Sequence, residues 1–136
     1  MSFKKLSNRL ALAAEFTTDG KIIADIGTDH GSLPIFLVGS GKCPSAVAAD
    51  LRKGPLESAK SNIEAAGLSD KIVTRLSDGL CGIGPDEFDE AVMAGMGGIL
   101  ICGILENCPY RNDKAFVLQP MSDPDTVRRW LYANGF

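Results

Sequence analysis

The chain has 136 residues, 45% of them apolar and 23% charged, with a formal net charge of −3. That balance describes one globular domain with enough apolar residues for a core, and the acidic total argues against a generally cationic nucleic-acid binder. No apolar run approaches membrane-span length, so no membrane association is expected, and the stretch from Met1 to Arg9 lacks the apolar centre of a signal peptide. Cys43, Cys81, Cys102 and Cys108 show no C-x-x-C spacing, and His30 is the one histidine available to join them. Reduced thiols in a cytoplasmic protein without a metal site are the simplest expectation.

Residues 2–16 have helical periodicity. Leu6, Leu10, Ala13 and Ala14 form an apolar stripe, with Phe3 and Phe16 at the ends and Lys5, Asn8, Arg9 and Glu15 opposite. Thr17 to Gly20 is a turn. This helix precedes the first strand and is expected to lie across the sheet near its functional corner.

Residues 21–34 organise the rest. The apolar run Ile22-Ile23-Ala24-Asp25-Ile26 breaks at Gly27, turns through Thr28-Asp29-His30-Gly31 and re-enters an apolar stretch behind Pro34. Strand (21–26), glycine loop and helix (from Ser32 or Leu33 to Gly39) form the nucleotide-binding corner of a doubly wound α/β sheet. A dinucleotide loop needs G-x-G-x-x-G so that backbone amides can approach a pyrophosphate. Here Asp29 stands where the middle glycine would be, which repels phosphate and suits a ligand carrying positive charge. S-adenosylmethionine, with its sulfonium and ammonium, fits that requirement, and Asp25 and Asp29 favour those cations. The plain alternative is a strand-turn-helix in which Asp29 only caps the helix. A nicotinamide-dependent oxidoreductase fits less well, because of Asp29.

The second strand is Ala46-Val47-Ala48-Ala49, closed by Asp50. Asp50 lies about 20 residues past the glycine loop, where such folds place an acid on ribose hydroxyls; capping of the next turn is its alternative. Gly54-Pro55 opens the next helix with Pro55 at the first helical position, Leu56, Ala59, Ile63 and Ala66 form its stripe, and Gly67 closes it. The third strand is 72–76. Asp78-Gly79 beyond it can accept from an adenine amine or be an ordinary turn. After a polar loop from Gly82, the fourth strand is 88–94, running into Gly95-Met96-Gly97-Gly98 and an apolar helix from Ile99 to Leu105. Those glycines admit close approach of a second molecule or of a packed helix, and Met96 reads equally as core. The fifth strand is Ala115 to Gln119, ending at Pro120. Asp123-Pro124 then caps a helix carrying Val127, Trp130 and Leu131, with its stop at Gly135. The basic groups Lys4-Lys5-Arg9, Arg52-Lys53 and Arg128-Arg129 read first as solvated faces.

These stretches together resemble a known family. Leu6-Ser7-Asn8-Arg9-Leu10, Ala24-Asp25-Ile26-Gly27-Thr28-Asp29-His30, Gly54-Pro55-Leu56-Glu57-Ser58-Ala59, Asp78-Gly79-Leu80, Ala94-Gly95-Met96-Gly97-Gly98 and Leu118-Gln119-Pro120 resemble, in order, the bacterial tRNA (adenine-22)-N1-methyltransferases. The stretch after the fourth strand is the most diagnostic. The resemblance implies a doubly wound, Rossmann-like methyltransferase sheet with strand order 3-2-1-4-5, without the last two of the usual seven strands. It implies S-adenosylmethionine as cofactor and N1 of a tRNA adenine as acceptor. On this resemblance Asp25, Gly27, Thr28, Asp29, Asp50, Leu51, Asp78, Gly79, Ala94 and Gly95 line the cofactor. Met96, Gly97, Gln119 and Pro120 face the target base, and Asn8, Arg9 and His30 lie at the RNA-facing mouth. Asp29 is the candidate to stabilise charge on the adenine, while His30 orients it, contacts phosphate or is an ordinary loop residue.

The sequence stops where a sixth strand is expected, which reads as a fragment of a longer product or a shortened paralogue. The fifth strand becomes an edge, and a homodimer through it is an expectation. Two other functions stay open: a non-catalytic adenosine-binding module and a methyltransferase acting on a small molecule.

Overall fold

The computed structural model describes residues 6–136. Its elements, in chain order, are α1 (Asn8–Phe16), β1 (Ile23–Ile26), α2 (Ser32–Gly39), β2 (Ala46–Asp50), α3 (Lys53–Ala65), β3 (Ile72–Leu76), β4 (Glu90–Gly97), α4 (Gly98–Glu106), β5 (Ala115–Ser122) and α5 (Pro124–Ala133), with a short 3-10 turn at Arg111–Asp113. The strands form one parallel sheet in the order β3-β2-β1-β4-β5, as the sequence predicts.

Period-two alternation explains why both faces of this sheet are apolar. Ile23, Ala46, Ala48 and Val92 pack on one side with Leu33 and Leu37 of α2 and Ile63 of α3. Ala24, Ile26, Val47, Ala91 and Met93 pack on the other with Ile101 and Leu105 of α4, Phe88, and Val127 of α5. The mostly small residues of β2 let both helix layers sit close. β1 and β4 lie side by side although β2 and β3 separate them in sequence, so the chain runs outward in opposite directions from this pair. The ends of these two strands therefore make the topological switch point.

The structure moves several boundaries. Within the described residues α1 begins at Asn8, because the Ser7 hydroxyl caps it by accepting the Leu10 N–H at 3.3 Å; the earlier part of the predicted helix, with Phe3, Lys4 and Lys5, lies outside them. Pro55 is third in α3 rather than first, since the helix opens at Lys53 behind Arg52. β4 starts two residues later than predicted and runs on through Gly95, Met96 and Gly97, with register shifts against β5 on either side of Met96. β5 continues past Pro120, which the open edge tolerates because no strand needs its missing N–H there. Asp123 precedes α5 in a left-handed conformation and makes no side-chain cap bond. No described helix is long and apolar enough to cross a membrane.

α1 is fastened to the sheet from below its C-terminus. The buried Glu90 carboxylate accepts from the Thr18 N–H at 2.8 Å and the Thr18 hydroxyl at 2.9 Å. Lys42 Nζ donates to the Ala14 carbonyl at 2.7 Å. Glu90→Ala leaves the Thr18 amide without its acceptor, so a loss of about 2–3 kcal/mol of unfolding free energy is expected. A urea midpoint equal to that of the parent chain would refute this.

Candidate active site

Two adjoining clefts open where β1, β2 and β4 end, and they share Gly27 and Ala94. The first, about 280 Å³, lies between the β1–α2 loop and the first turn of α1. Its ionisable lining residues are Arg9, Asp25, Asp29 and His30. The second, about 270 Å³, lies between the β2–α3 and β3 loops and the side of α4. Asp50, Leu51, Asp78 and Gly79 line it opposite Leu100 and Ile104.

The loop between the strands is shaped by its acids. Asp50 is buried, and its carboxylate accepts from the Asp29 N–H and from the Arg52 N–H, each at 3.0 Å. Asp29 sits in the left-handed region at φ 57° and donates no cap to α2; Gly31 occupies the N-cap position instead. The Asp29 side chain is exposed and remains available to a ligand. The capping alternative thus fails for Asp29, and holds for Asp50 as regards the turn before α3.

Asp25 is buried at the base of the first cleft. Burial pushes its carboxyl up to about 7; the bond from the Thr28 hydroxyl at 2.8 Å and the nearby Arg9 oppose the rise, and Asp50 adds to it. The site therefore holds a weakly satisfied acid beside an exposed one and a guanidinium. An α-amino acid zwitterion has the complementary pattern: an ammonium for the acids and a carboxylate for Arg9. The second cleft pairs hydrogen-bond acceptors with an aliphatic wall, which suits the ribose and the flat base of a nucleoside.

Other predicted positions fall into place or away from it. Thr28 is buried and serves Asp25. His30 faces α3, with Nδ1 3.0 Å from the Ser58 hydroxyl, its carbonyl accepting from Asn62 at 2.8 Å, and Nε2 3.7 Å from Asp29. Asn8 is exposed on α1 and is not in either cleft lining, whereas Arg9 is. Met96 lines the second cleft and reaches across, so that a Cβ at Gly27 would meet its Cε at 2.8 Å. Gly95, at φ 75°, faces Arg9 at the mouth. On their Cβ sides Gly97 and Gly98 pack against the end of β5: Cβ atoms there would meet Ser122 Oγ at 3.2 Å and the Ser122 carbonyl at 2.6 Å. Gln119 and Pro120 stand beside the clefts, opposite Ala94 and Met96 in register.

Sequence reasoning missed Leu100 and Ile104 as cleft wall. The signal was present, since α4 is apolar around its whole circumference; Ile99 and Leu100 are 69% and 56% exposed. Among the described residues no cluster of metal-ligating side chains occurs.

Two clefts meeting at the switch point of a doubly wound parallel sheet are the arrangement of a nucleotide-binding α/β domain. The family described as "Methyltransferase domain" matches residues 6–136, and the chain belongs to that family. It is 40% identical over 134 residues to the tRNA (adenine(22)-N(1))-methyltransferase of Bacillus subtilis, covering 97% of this chain and 56% of that protein. The crystal structure of the Bacillus subtilis M1A22 tRNA methyltransferase TrmK superposes with a TM-score of 0.88, 40% identity and coverage of 96% of this chain and 56% of that one. M. capricolum TrmK, solved in complex with S-adenosyl-homocysteine, gives a TM-score of 0.86 at 33% identity, covering 96% of this chain and 58% of that one. The chain thus spans somewhat over half the length of these relatives.

Asp25 sets a pH dependence. The native carboxyl titrates near pH 7, whereas an unfolded aspartate does so near ~4. Between those values the native state binds more protons, so stability falls as pH rises from about 4 through 7. Asp25→Asn removes this loss: its melting temperature is expected above that of the parent at pH 8 and level with it at pH 4. The opposite order at pH 8 would show that the ionised carboxylate is stabilised in the fold.

Proposed function

We propose that this chain binds S-adenosylmethionine across the two clefts and directs its methyl group to N1 of an adenine in tRNA. One observation carries the reading: a cleft with two acids and a guanidinium joins, through Gly27 and Ala94, a cleft with acceptors and an aliphatic wall. The residues present fit the cofactor. Asp25 and Asp29 face its ammonium, Arg9 its carboxylate, Asp50 its ribose hydroxyls, and Asp78 with Leu51 and Ile104 its adenine. The relatives named above support the acceptor, since they act on adenine 22 of tRNA or are solved with the cofactor product.

When bound, the cofactor supplies a methyl group activated on sulfonium. N1 of adenine has its own lone pair, so the protein's task is alignment of that nitrogen with the methyl and sulfur. Gly95, under the Arg9 guanidinium, and Met96 lie at the mouth where an acceptor would enter, and N1 is accessible only in an unpaired or flipped-out base. Positive charge passes to the adenine during transfer, and a carboxylate near the base stabilises it; Asp29 takes that role only through the oxygen that its ammonium contact leaves free. This reading locates the protein in the cytoplasm, where its tRNA is. β5 is an edge strand among the described residues, and strand pairing there is the contact a homodimer would use.

Calorimetric titration with S-adenosylmethionine, S-adenosylhomocysteine and NAD tests the cofactor. Binding of both sulfur compounds and not NAD is expected; binding of NAD alone, or of none to folded protein, rejects the reading. Asp29→Ala should weaken S-adenosylhomocysteine by about 10-fold or more, the loss of a charge-assisted hydrogen bond. Unchanged affinity would remove Asp29 from the ammonium site. Light scattering decides the dimer, a one-chain mass at micromolar concentration refuting it.

A further inference from the structure

A third cavity, about 330 Å³, continues the second cleft along α4. The two share Asp78, Leu100 and Ile104 as lining. On a helix, Ile99, Gly103 and Asn107 follow at four-residue intervals in the row beside Leu100 and Ile104. The second cleft touches only the Leu100–Ile104 row, and the third cavity covers both. Leu80 and Cys81, from the loop after β3, complete its lining.

The space over Gly103 is open. A Cβ built there meets nothing within 4 Å, so no close packing contact calls for glycine at this place in the helix. Ile99 and Leu100 are exposed, and the cavity therefore presents aliphatic surface to water. Covering such surface with an apolar group is favourable in proportion to the area removed from water. Among the described residues, Asp78 carries the one carboxyl group of the lining, and it belongs to the second cleft as well.

We propose that this cavity is a subsite for an apolar substituent on the adenine amine, so that the chain takes N6-alkyl and N6-arylalkyl adenosine compounds. The inference rests on the nucleoside reading of the second cleft. An adenine joined to ribose carries its only N–H donors on the exocyclic amine, so the amine is the group that the Asp78 carboxylate attracts. A ring nitrogen in its place would set acceptor against acceptor. Because Asp78 lines both cavities, a base held this way turns its amine toward their junction. Replacing one amine hydrogen leaves the other for Asp78. The substituent then continues into the space over Gly103, against Ile99 and Leu100.

Calorimetric titration of the chain with S-adenosylhomocysteine and with its N6-benzyl derivative tests the proposal. The benzyl compound should bind about fivefold or more tightly than its parent, because it covers the aliphatic wall. Gly103→Leu fills the cavity from a position outside the second cleft, and leucine is a good helix former. That variant should bind S-adenosylhomocysteine as the parent chain does and lose the benzyl gain. Methyl NMR of the parent chain gives a reading that needs no variant: Ile99, which lines only the third cavity of the three, should shift with the benzyl compound and not with S-adenosylhomocysteine. Equal or weaker binding of the benzyl compound, a gain that survives in Gly103→Leu, or an unmoved Ile99 methyl overturns the subsite. Where S-adenosylhomocysteine binds and only the gain is missing, the subsite alone falls. Where S-adenosylhomocysteine fails to bind folded protein, the cofactor reading falls and the subsite with it.

Discussion

The corner at the switch point depends on one carboxylate. Asp50 ends β2, is almost fully buried, and receives an N–H from Asp29 on one side and from Arg52 on the other. Those two amides belong to the loops that follow neighbouring strands. A buried carboxylate without such donors would be strongly unfavourable, so folding of the sheet and closing of both loops are coupled through it. Arg52 Nε, 3.6 Å away and largely exposed, adds little. The two clefts have a common wall because these loops are held at a fixed separation.

Features unfavourable to stability collect around that pin. Asp29 occupies a left-handed conformation that residues with a Cβ seldom adopt, and Asp50 holds it there. Asp25 is buried with one hydroxyl donor and with Asp50 nearby, which is why its carboxyl resists ionisation. A cationic ligand reverses that balance, because it favours the charged form that burial disfavours. The same groups that weaken the empty corner therefore strengthen its grip on positive charge. The surrounding sheet supplies the compensation, through two apolar layers and the fully buried strands β1 and β2.

β1, β2 and the start of β4 were legible because each is an apolar run that breaks at Gly or Asp, and β-α alternation makes the sheet parallel, whereas its order came from the family resemblance. The acids Asp25, Asp29 and Asp50 were legible from spacing alone. What escaped was tertiary. Nothing local distinguishes Gly95, which faces the mouth, from Gly98, which packs under the Ser122 carbonyl. The strand continues through Gly95 and Met96 because β5 offers it pairing partners, against the local propensity of a glycine-rich stretch. Periodicity alone reads Arg9 as a solvated base, and only the family resemblance sets it at the mouth, where it lines the first cleft. Helix periodicity says which face of α1 is buried, and not which loop its first turn overhangs.

Arg9 and Gln119 connect the two halves of the site. The backbone of Arg9 is tied to β5 by Gln119, while its guanidinium reaches back toward Asp25 and lies over Gly95. One residue is thus anchored on the acceptor side and charged toward the cofactor side. No ion pair holds that guanidinium among the described residues, so charge near Asp25 and the first cleft bears on it without fixing it.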